Sequence, residues 1–421
     1  MALPSHILTL LSLSLLISLV RPQVDPSQQL QFLNRGDFGY SKVEYGASYR
    51  DVGVIRNHFR LCFFNTTPNA YTLAIGIGTG TSDSIIRWIW QANPQNPVHE
   101  EASLSFGPEG NLVLAQPDGR VIWQTNTENK GVIGLTMNEN GNLVLFDDGG
   151  WPVWQSFDFP TDTLLVGQSL TLNGSNKLVS RDNGLYTLTL EPNRLVLSHL
   201  ISRSNNKTVV YNVIEGRFNP STTFYAVKDQ GTATQLGLAT PGLRPEFPYK
   251  QFLARARFNA SQSFLRLDAD GNVRIYTFDF KVRFLAWEVT FELFNRGNNE
   301  CWLPSRCGEF GLCEDNQCVA CPSGLGLLGW SKGCKVKKVK SCDPKTFRYY
   351  RLGGVDHYMT KYNVGVAVGE SKCRGLCSGD CKCLGYFYDK SRFKCWISYE
   401  LGTLVKVSDS KKVAYIKTPN V

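Results

Sequence analysis

The strongest constraint in this chain is a threefold repetition: Trp90-Gln91-Ala92, Trp123-Gln124-Thr125 and Trp154-Gln155-Ser156 recur at intervals of 33 and 31 residues. Repeats of this period are supersecondary units that bury their apolar faces only by stacking on one another. Ahead of the second and third copies stands one phrase, Gly110-Asn111-Leu112-Val113-Leu114 and Gly141-Asn142-Leu143-Val144-Leu145. Its Gly-Asn supplies a turn, and the apolar residues that follow supply a strand. A second turn, Pro117-Asp118-Gly119 or Asp147-Asp148-Gly149-Gly150, separates each phrase from its tryptophan. Each repeat therefore reads as short antiparallel strands ending in a large aromatic, and the three indoles are expected to fill one shared core. With 38 Gly, 9 Trp and 17 Tyr against 3 Met, the composition also favours short strands and turns over long helices.

From Ile7 to Val20 the chain is almost unbroken apolar sequence, followed by Arg21, Pro22 and a polar run from Gln23. This is shorter than the ~20 residues of a bilayer span, so residues 1–22 read as a secretory signal peptide and no membrane anchor is expected. Of 13 cysteines, Cys62 stands alone and twelve lie between Cys301 and Cys395, which behind a signal peptide is a disulfide framework. Cys62 is either buried and reduced or joins two chains. Sequons at Asn65, Asn173, Asn206 and Asn259 fit the same secretory route. Cys318-Val319-Ala320-Cys321 has metal-site spacing as well, but in an oxidising compartment the disulfide reading prevails, so neither a metal nor a cofactor is expected.

The net charge of +9 is local. Trp330 to Val421 holds 19 Lys and Arg against 7 Asp and Glu, a net of +12, which leaves −3 for the remainder. Such a surface suits an acidic polymer, the alternative being a solvated face without a ligand.

The run Trp154-Gln155-Ser156-Phe157-Asp158-Phe159-Pro160-Thr161-Asp162-Thr163-Leu164-Leu165, placed after the repeats, resembles the signature of plant bulb-type, mannose-binding lectin domains, familiar from S-locus glycoproteins and their receptor-kinase relatives. The resemblance implies a β-prism of three four-stranded sheets over residues 44–165. Gly184-Leu185-Tyr186 and Leu265 to Tyr276 keep the same turn and alternation, so 166–295 is expected to be a second, degenerate prism, with an unrelated β-rich spacer as the alternative. The six cysteines of 301–334 lie in a segment too small to bury a sufficient core. Sequence alone leaves many pairings open. The segment resembles an EGF-like module, which implies Cys301 with Cys313, Cys307 with Cys318, and Cys321 with Cys334. The spacing Cys373, Cys377, Cys381, Cys383 and then Cys395 is similar to the PAN/apple module, here 342–418, and implies Cys373–Cys395, Cys377–Cys383 and Cys342–Cys381. The expected fold is thus mainly β: tandem β-prism II domains followed by small disulfide-rich EGF-like and α+β PAN/apple modules. In that order, with no kinase following, the chain resembles the EP1-like secreted glycoproteins of plants.

The lectin family's sugar motif, Gln-x-Asp-x-Asn-x-Val-x-Tyr, spaces its residues so that a strand presents them on one face. The best match here is Asn138-x-Asn140-x-Asn142-x-Val144-x-Phe146. An earlier stretch reads Gly107-x-Glu109-x-Asn111-x-Val113-x-Ala115, and a later one Asp268-x-Asp270-x-Asn272-x-Arg274-x-Tyr276. Each is either a sugar contact or plain strand structure. A monosaccharide site near ~1 mM totals about −4 kcal/mol, and each neutral hydrogen bond contributes ~0.5 to 1.5 kcal/mol. Losing two bonds would remove measurable affinity unless several weak sites engage one glycan.

No catalytic residue is assigned: His6, His58, His99, His199 and His357 form no H-E-x-x-H pair, and no G-x-S-x-G elbow or phosphate loop is present. The chain reads as a non-enzymatic, secreted protein of the cell wall or apoplast that binds high-mannose glycans of glycoproteins or wall polysaccharide. Alternatives are a protein partner engaged through the PAN and EGF-like modules, or retention by acidic pectin with the lectin fold as scaffold. A nucleic-acid partner is not expected.

Overall fold

The computed structural model describes residues 23–420 except 80–84, 182–183, 204–205, 229–233, 243, 245, 247, 257–261, 279–286, 296, 298, 338 and 340–342. The signal segment 1–22, the Asn259 sequon and Cys342 lie outside the described residues. Two compact units are present, the first being residues 1–169 with 278–287 and the second 170–277 with 288–421.

In the first unit the repeats become antiparallel sheets. One sheet orders Ser48–Arg56, Phe59–Thr67, Ala70–Ile77 and Arg87–Gln91. Another orders Leu30–Leu33, Ser103–Phe106, Leu112–Ala115 and Val121–Gln124, and a third Gly134–Met137, Leu143–Phe146 and Pro152–Gln155. The last strand of each carries one repeat tryptophan. Trp90, Trp123 and Trp154 meet edge to face, with ring centroids 5.8, 6.0 and 5.8 Å apart and interplanar angles of 73 to 75°. This is the geometry the aromatic quadrupole prefers, and the three copies satisfy it mutually. Around them Leu104, Leu112, Leu114, Leu143 and Leu145 are completely buried, as the alternation of the phrases requires.

The sequence boundary at residue 44 falls too late. Leu30–Leu33 pairs in register with Ser103–Phe106, Leu30 opposite Phe106. Arg50, itself buried, holds the chain just beyond that strand: its guanidinium donates to Gly36 O, Asn34 O and Asn34 Oδ1 at 2.9, 3.3 and 3.0 Å. The same group forms a two-pronged contact with Glu100 at 3.0 and 2.7 Å, and the Tyr71 hydroxyl donates to that carboxylate at 2.6 Å. A planar fork suits several acceptors at once, which a lysine would not. Cys62 lies in the core with Tyr49, Phe64, Ala74 and Trp88, fully buried and free. Burial pushes its thiol well up, so it is an inert apolar residue and no bridge between chains.

The second unit opens with the degenerate prism. Its sheets include Lys177–Val179, Tyr186–Glu191, Arg194–Ser202 and Lys207–Glu215 in that order, and Ser221–Lys228 beside Thr234–Thr240 and Tyr249–Ala256. Aromatic packing here uses Tyr186 stacked on His199 at 4.8 Å and edge-on to Tyr211 at 5.8 Å. Gly271 keeps its place because its φ is +82° and a Cβ there would stand 2.8 Å from the Tyr186 ring.

The two cysteine-rich segments share one sheet across the expected division at 334 and 342. Phe310–Glu314 pairs in parallel with Gly402–Lys406, Phe310 opposite Gly402 and Cys313 opposite Val405. A five-stranded sheet results, ordered Gly326–Gly329, Gln317–Ser323, Phe310–Glu314, Gly402–Lys406 and Val355–His357. A segment with so little core of its own gains backbone partners and buried area by sharing a sheet. Its disulfides are Cys301–Cys313, Cys307–Cys318 and Cys321–Cys334. The sulfurs of Cys307, Cys313 and Cys318 lie within 4.8 Å of one another because two of these bonds are neighbours; a bonded sulfur offers a metal no thiolate. A second sheet orders Phe347–Gly353, Lys412–Pro419, Gly385–Asp389, Lys394–Ser398 and Val366–Ala367. The helix Glu370–Ser378 is clamped to it by Cys373–Cys395, and Cys377–Cys383 ties its last turn to the following loop.

Trp90→Ala removes one indole of the triad and its N–H bond to Phe159 O (2.9 Å), and is expected to destabilise the first unit by ~3 to 5 kcal/mol in urea unfolding followed by circular dichroism.

Candidate functional site

The five residues from Asn138 to Phe146 do not lie on one strand. Asn138 follows the strand Gly134–Met137, residues 139–141 turn, and Leu143–Phe146 runs back antiparallel. The turn closes through Asn138 N–H to Asn142 O (2.8 Å) and Gly141 N–H to Asn138 O (3.0 Å). Gly141 has φ +85°, and a Cβ there would stand 2.5 Å from the Phe59 ring, so only glycine fits. Asn138 and Asn140 are exposed at the tip, and Asn140 Oδ1 accepts the Asn142 N–H at 3.3 Å. Val144 is buried, opposite Gln155 and Thr136. The Phe146 ring covers Gly134, where a Cβ would be 2.5 Å from it, and is half-buried.

Asn142 is a structural latch. Its amide donates to Gln155 Oε1 at 2.8 Å, while its Oδ1 accepts from Ser156 Oγ and the Phe157 N–H, both at 3.2 Å. Asn111 repeats the arrangement. Its amide donates to Gln124 Oε1 at 2.9 Å, and its Oδ1 accepts from Thr125 Oγ1 at 2.9 Å and the Thr127 N–H at 3.1 Å. Asn272 donates to Phe294 O at 2.7 Å and accepts from Phe294 N at 3.0 Å. The asparagine of the Gly-Asn phrase thus fastens each hairpin to the chain that follows its third strand, which the sugar-motif reading missed. The signal was present in the Trp-Gln-Ser and Trp-Gln-Thr that follow, which supply the partners. In the 107–115 stretch Glu109 is exposed and folds back over Gly107, and Val113 is half-buried between Ser105 and Gln124.

The 268–276 stretch is filled from within. Arg274 occupies the valine position of the motif and contacts Asp268 at 2.8 Å, Asp270 at 2.7 Å and Glu292 at 2.8 Å. Tyr276 donates to the same Asp268 oxygen at 2.9 Å. Burial raises the Asp268 carboxyl, opposed by Arg274, Arg266 and Tyr276. The acids of the stretch are bound to this guanidinium, and the tyrosine to one of those acids.

Among the sequons, Asn173 and Asn206 are exposed and Asn65 is half-buried in the strand Phe59–Thr67. His199 and His357 are buried. Burial lowers His199 to about 4, its Nδ1 lies 3.0 Å from the Tyr358 hydroxyl, and Glu400 stands 3.8 Å from its Nε2. Burial lowers His357 to about 3, and its Nε2 lies 2.9 Å from Leu401 O. Burial also lifts Glu400 to about 7, with the charge of Glu309 adding to the shift.

A family model described as D-mannose binding lectin matches residues 87–183. The chain is similar to EP1-like glycoprotein 4 of Arabidopsis thaliana, 48% identical over 97% of this chain and 96% of that protein. It is 45% identical to the epidermis-specific secreted glycoprotein EP1 of Daucus carota, over 79% of this chain and 92% of that protein. Similarity extends to the putative receptor protein kinase ZmPK1 of Zea mays, 30% identical over 79% of this chain but only 41% of that protein.

Asn142→Ala breaks three latch bonds and is expected to lower the stability of the first unit by about 2 kcal/mol in chemical denaturation. Because the Glu400 carboxyl is raised from 4.5 to about 7, the stability it confers is full below pH 4.5 and lost as pH rises through 7. Glu400→Gln should therefore raise the melting temperature at pH 8 and leave it unchanged at pH 4, as read by scanning calorimetry at both values.

Proposed function

Because the chain belongs to the EP1-like glycoprotein family, we propose that it works as a secreted extracellular glycoprotein whose first unit binds mannose-type glycans weakly and by multiple contacts. The name of the carrot relative supports secretion, and the lectin family match supports carbohydrate as the ligand class. The observation that carries the reading is the turn at 138–142. It presents the amides of Asn138 and Asn140 to solvent, on a backbone fixed by Asn142. Neutral amides hold sugar hydroxyls at ~0.5 to 1.5 kcal/mol each. That is too little for tight monovalent binding, so the ligands that fit are branched high-mannose glycans of glycoproteins or repetitive wall polysaccharide, held through effective concentration.

A second reading, contact with a protein partner, rests on the edge strand Gly326–Gly329 and the turn before it, where Leu325, Leu327 and Leu328 are 92, 56 and 61% exposed. An apolar sheet edge is open to strand addition.

A glycan array separates the two. High-mannose signal from the secreted protein, lost in an Asn138→Ala/Asn140→Ala variant of unchanged melting temperature, is the expected result. Absence of glycan signal together with binding to a protein stripped of its glycans would favour the edge strand instead.

A further inference from the structure

Within the second unit, the adjoining ends of the strands Arg194–Ser202 and Lys207–Glu215 and the loop after the helix Glu370–Ser378 line a groove of about 840 Å³. That is at the upper end of the ~300 to 1,000 Å³ typical of small-molecule sites. Ile201, Ser202, Lys207, Asp380, Lys382 and Tyr399 line it. From these residues we infer that the groove is a second saccharide site, specific for a carboxylated sugar such as a hexuronate oligomer. It is distinct from the Asn138–Asn142 turn, and its test is independent of that site.

Charge gives the first reason. Lys207 and Lys382 are both exposed, and among the described residues neither has a carboxylate within ion-pair distance. Lys207 instead lies over the Tyr399 ring, 4.7 Å from its centroid. The acid of the groove is already engaged: one Asp380 oxygen accepts the Lys382 backbone N–H and the other accepts the Tyr399 hydroxyl, both at 2.9 Å. Two ammonium groups therefore face the groove against the single Asp380 carboxylate, and Lys382 belongs to the segment where the chain's positive charge is concentrated.

A helix C-terminus carries partial negative charge and would repel an anion. The groove borders the end of Glu370–Ser378, and here that charge is offset from below. Lys417, 2% exposed, directs its ammonium at the carbonyls of Cys377 and Asp380, 3.5 and 3.3 Å away. Tyr399 and Ile201 add apolar surface suited to the C–H face of a pyranose ring. A purely basic patch would lack that surface, so a carboxylated saccharide fits better than an acidic peptide.

The test uses the full secreted chain and a hexuronate oligomer in titration calorimetry. Its uncharged methyl-esterified form and a poly-glutamate peptide of equal charge serve as comparisons. Lys207→Gln/Lys382→Gln should weaken the hexuronate about tenfold, whereas neutralising two exposed lysines that do not line the groove, Lys406→Gln/Lys411→Gln, should change it less than about twofold. Equal losses in both variants would reduce the effect to general attraction by a basic surface and overturn the proposal. So would wild-type protein that ignores the hexuronate, holds the methyl ester as tightly, or binds poly-glutamate equally well through the same two lysines.

Discussion

Three indoles meeting edge to face hold the first unit together, and the rest of that unit is arranged to bring them there. Each tryptophan ends a hairpin, so each hairpin must finish at the same depth and angle as the other two. This explains why the interval between copies scarcely varies while the sequence between them does. It also explains the asparagine latches. A hairpin whose last strand delivers a ring to a shared centre must be fixed against the chain that leaves it, and Asn111 and Asn142 each do so with an amide that both donates and accepts.

Sequence patterning disclosed the repeats, the mainly β fold and the lectin likeness, because turn glycines, alternation and a bulky aromatic are local signals. It could not disclose what the side chain of Asn142 does. An amide in a Gly-Asn turn has the same local sequence whether it faces solvent or a serine thirteen or more residues ahead. The same limit hid the N-terminal strand: Leu30–Leu33 has an unremarkable pattern, and only its pairing with Ser103–Phe106 and the Arg50 network make it part of the sheet. Arg274 was visible as a departure from the motif, but that it gathers three carboxylates depends on Glu292, eighteen residues away.

The two units are thus built around different aromatic clusters. The first retains the tryptophan centre and leaves amides on an open turn. In the second, Tyr186, His199 and Tyr211 pack together, and the corresponding turn carries a partly exposed ion network around Arg274.

The parallel pairing of Phe310–Glu314 with Gly402–Lys406 has a consequence for biosynthesis. The two strands are about ninety residues apart, and at ~5 to 20 residues per second the second leaves the ribosome roughly 5 to 20 s after the first. Through that interval the earlier cysteine segment has a bare sheet edge and must rely on its disulfides alone. A chain ending before residue 402 would leave that edge bare, so Gly402–Lys406 is the piece that completes the sheet begun by the cysteine segment.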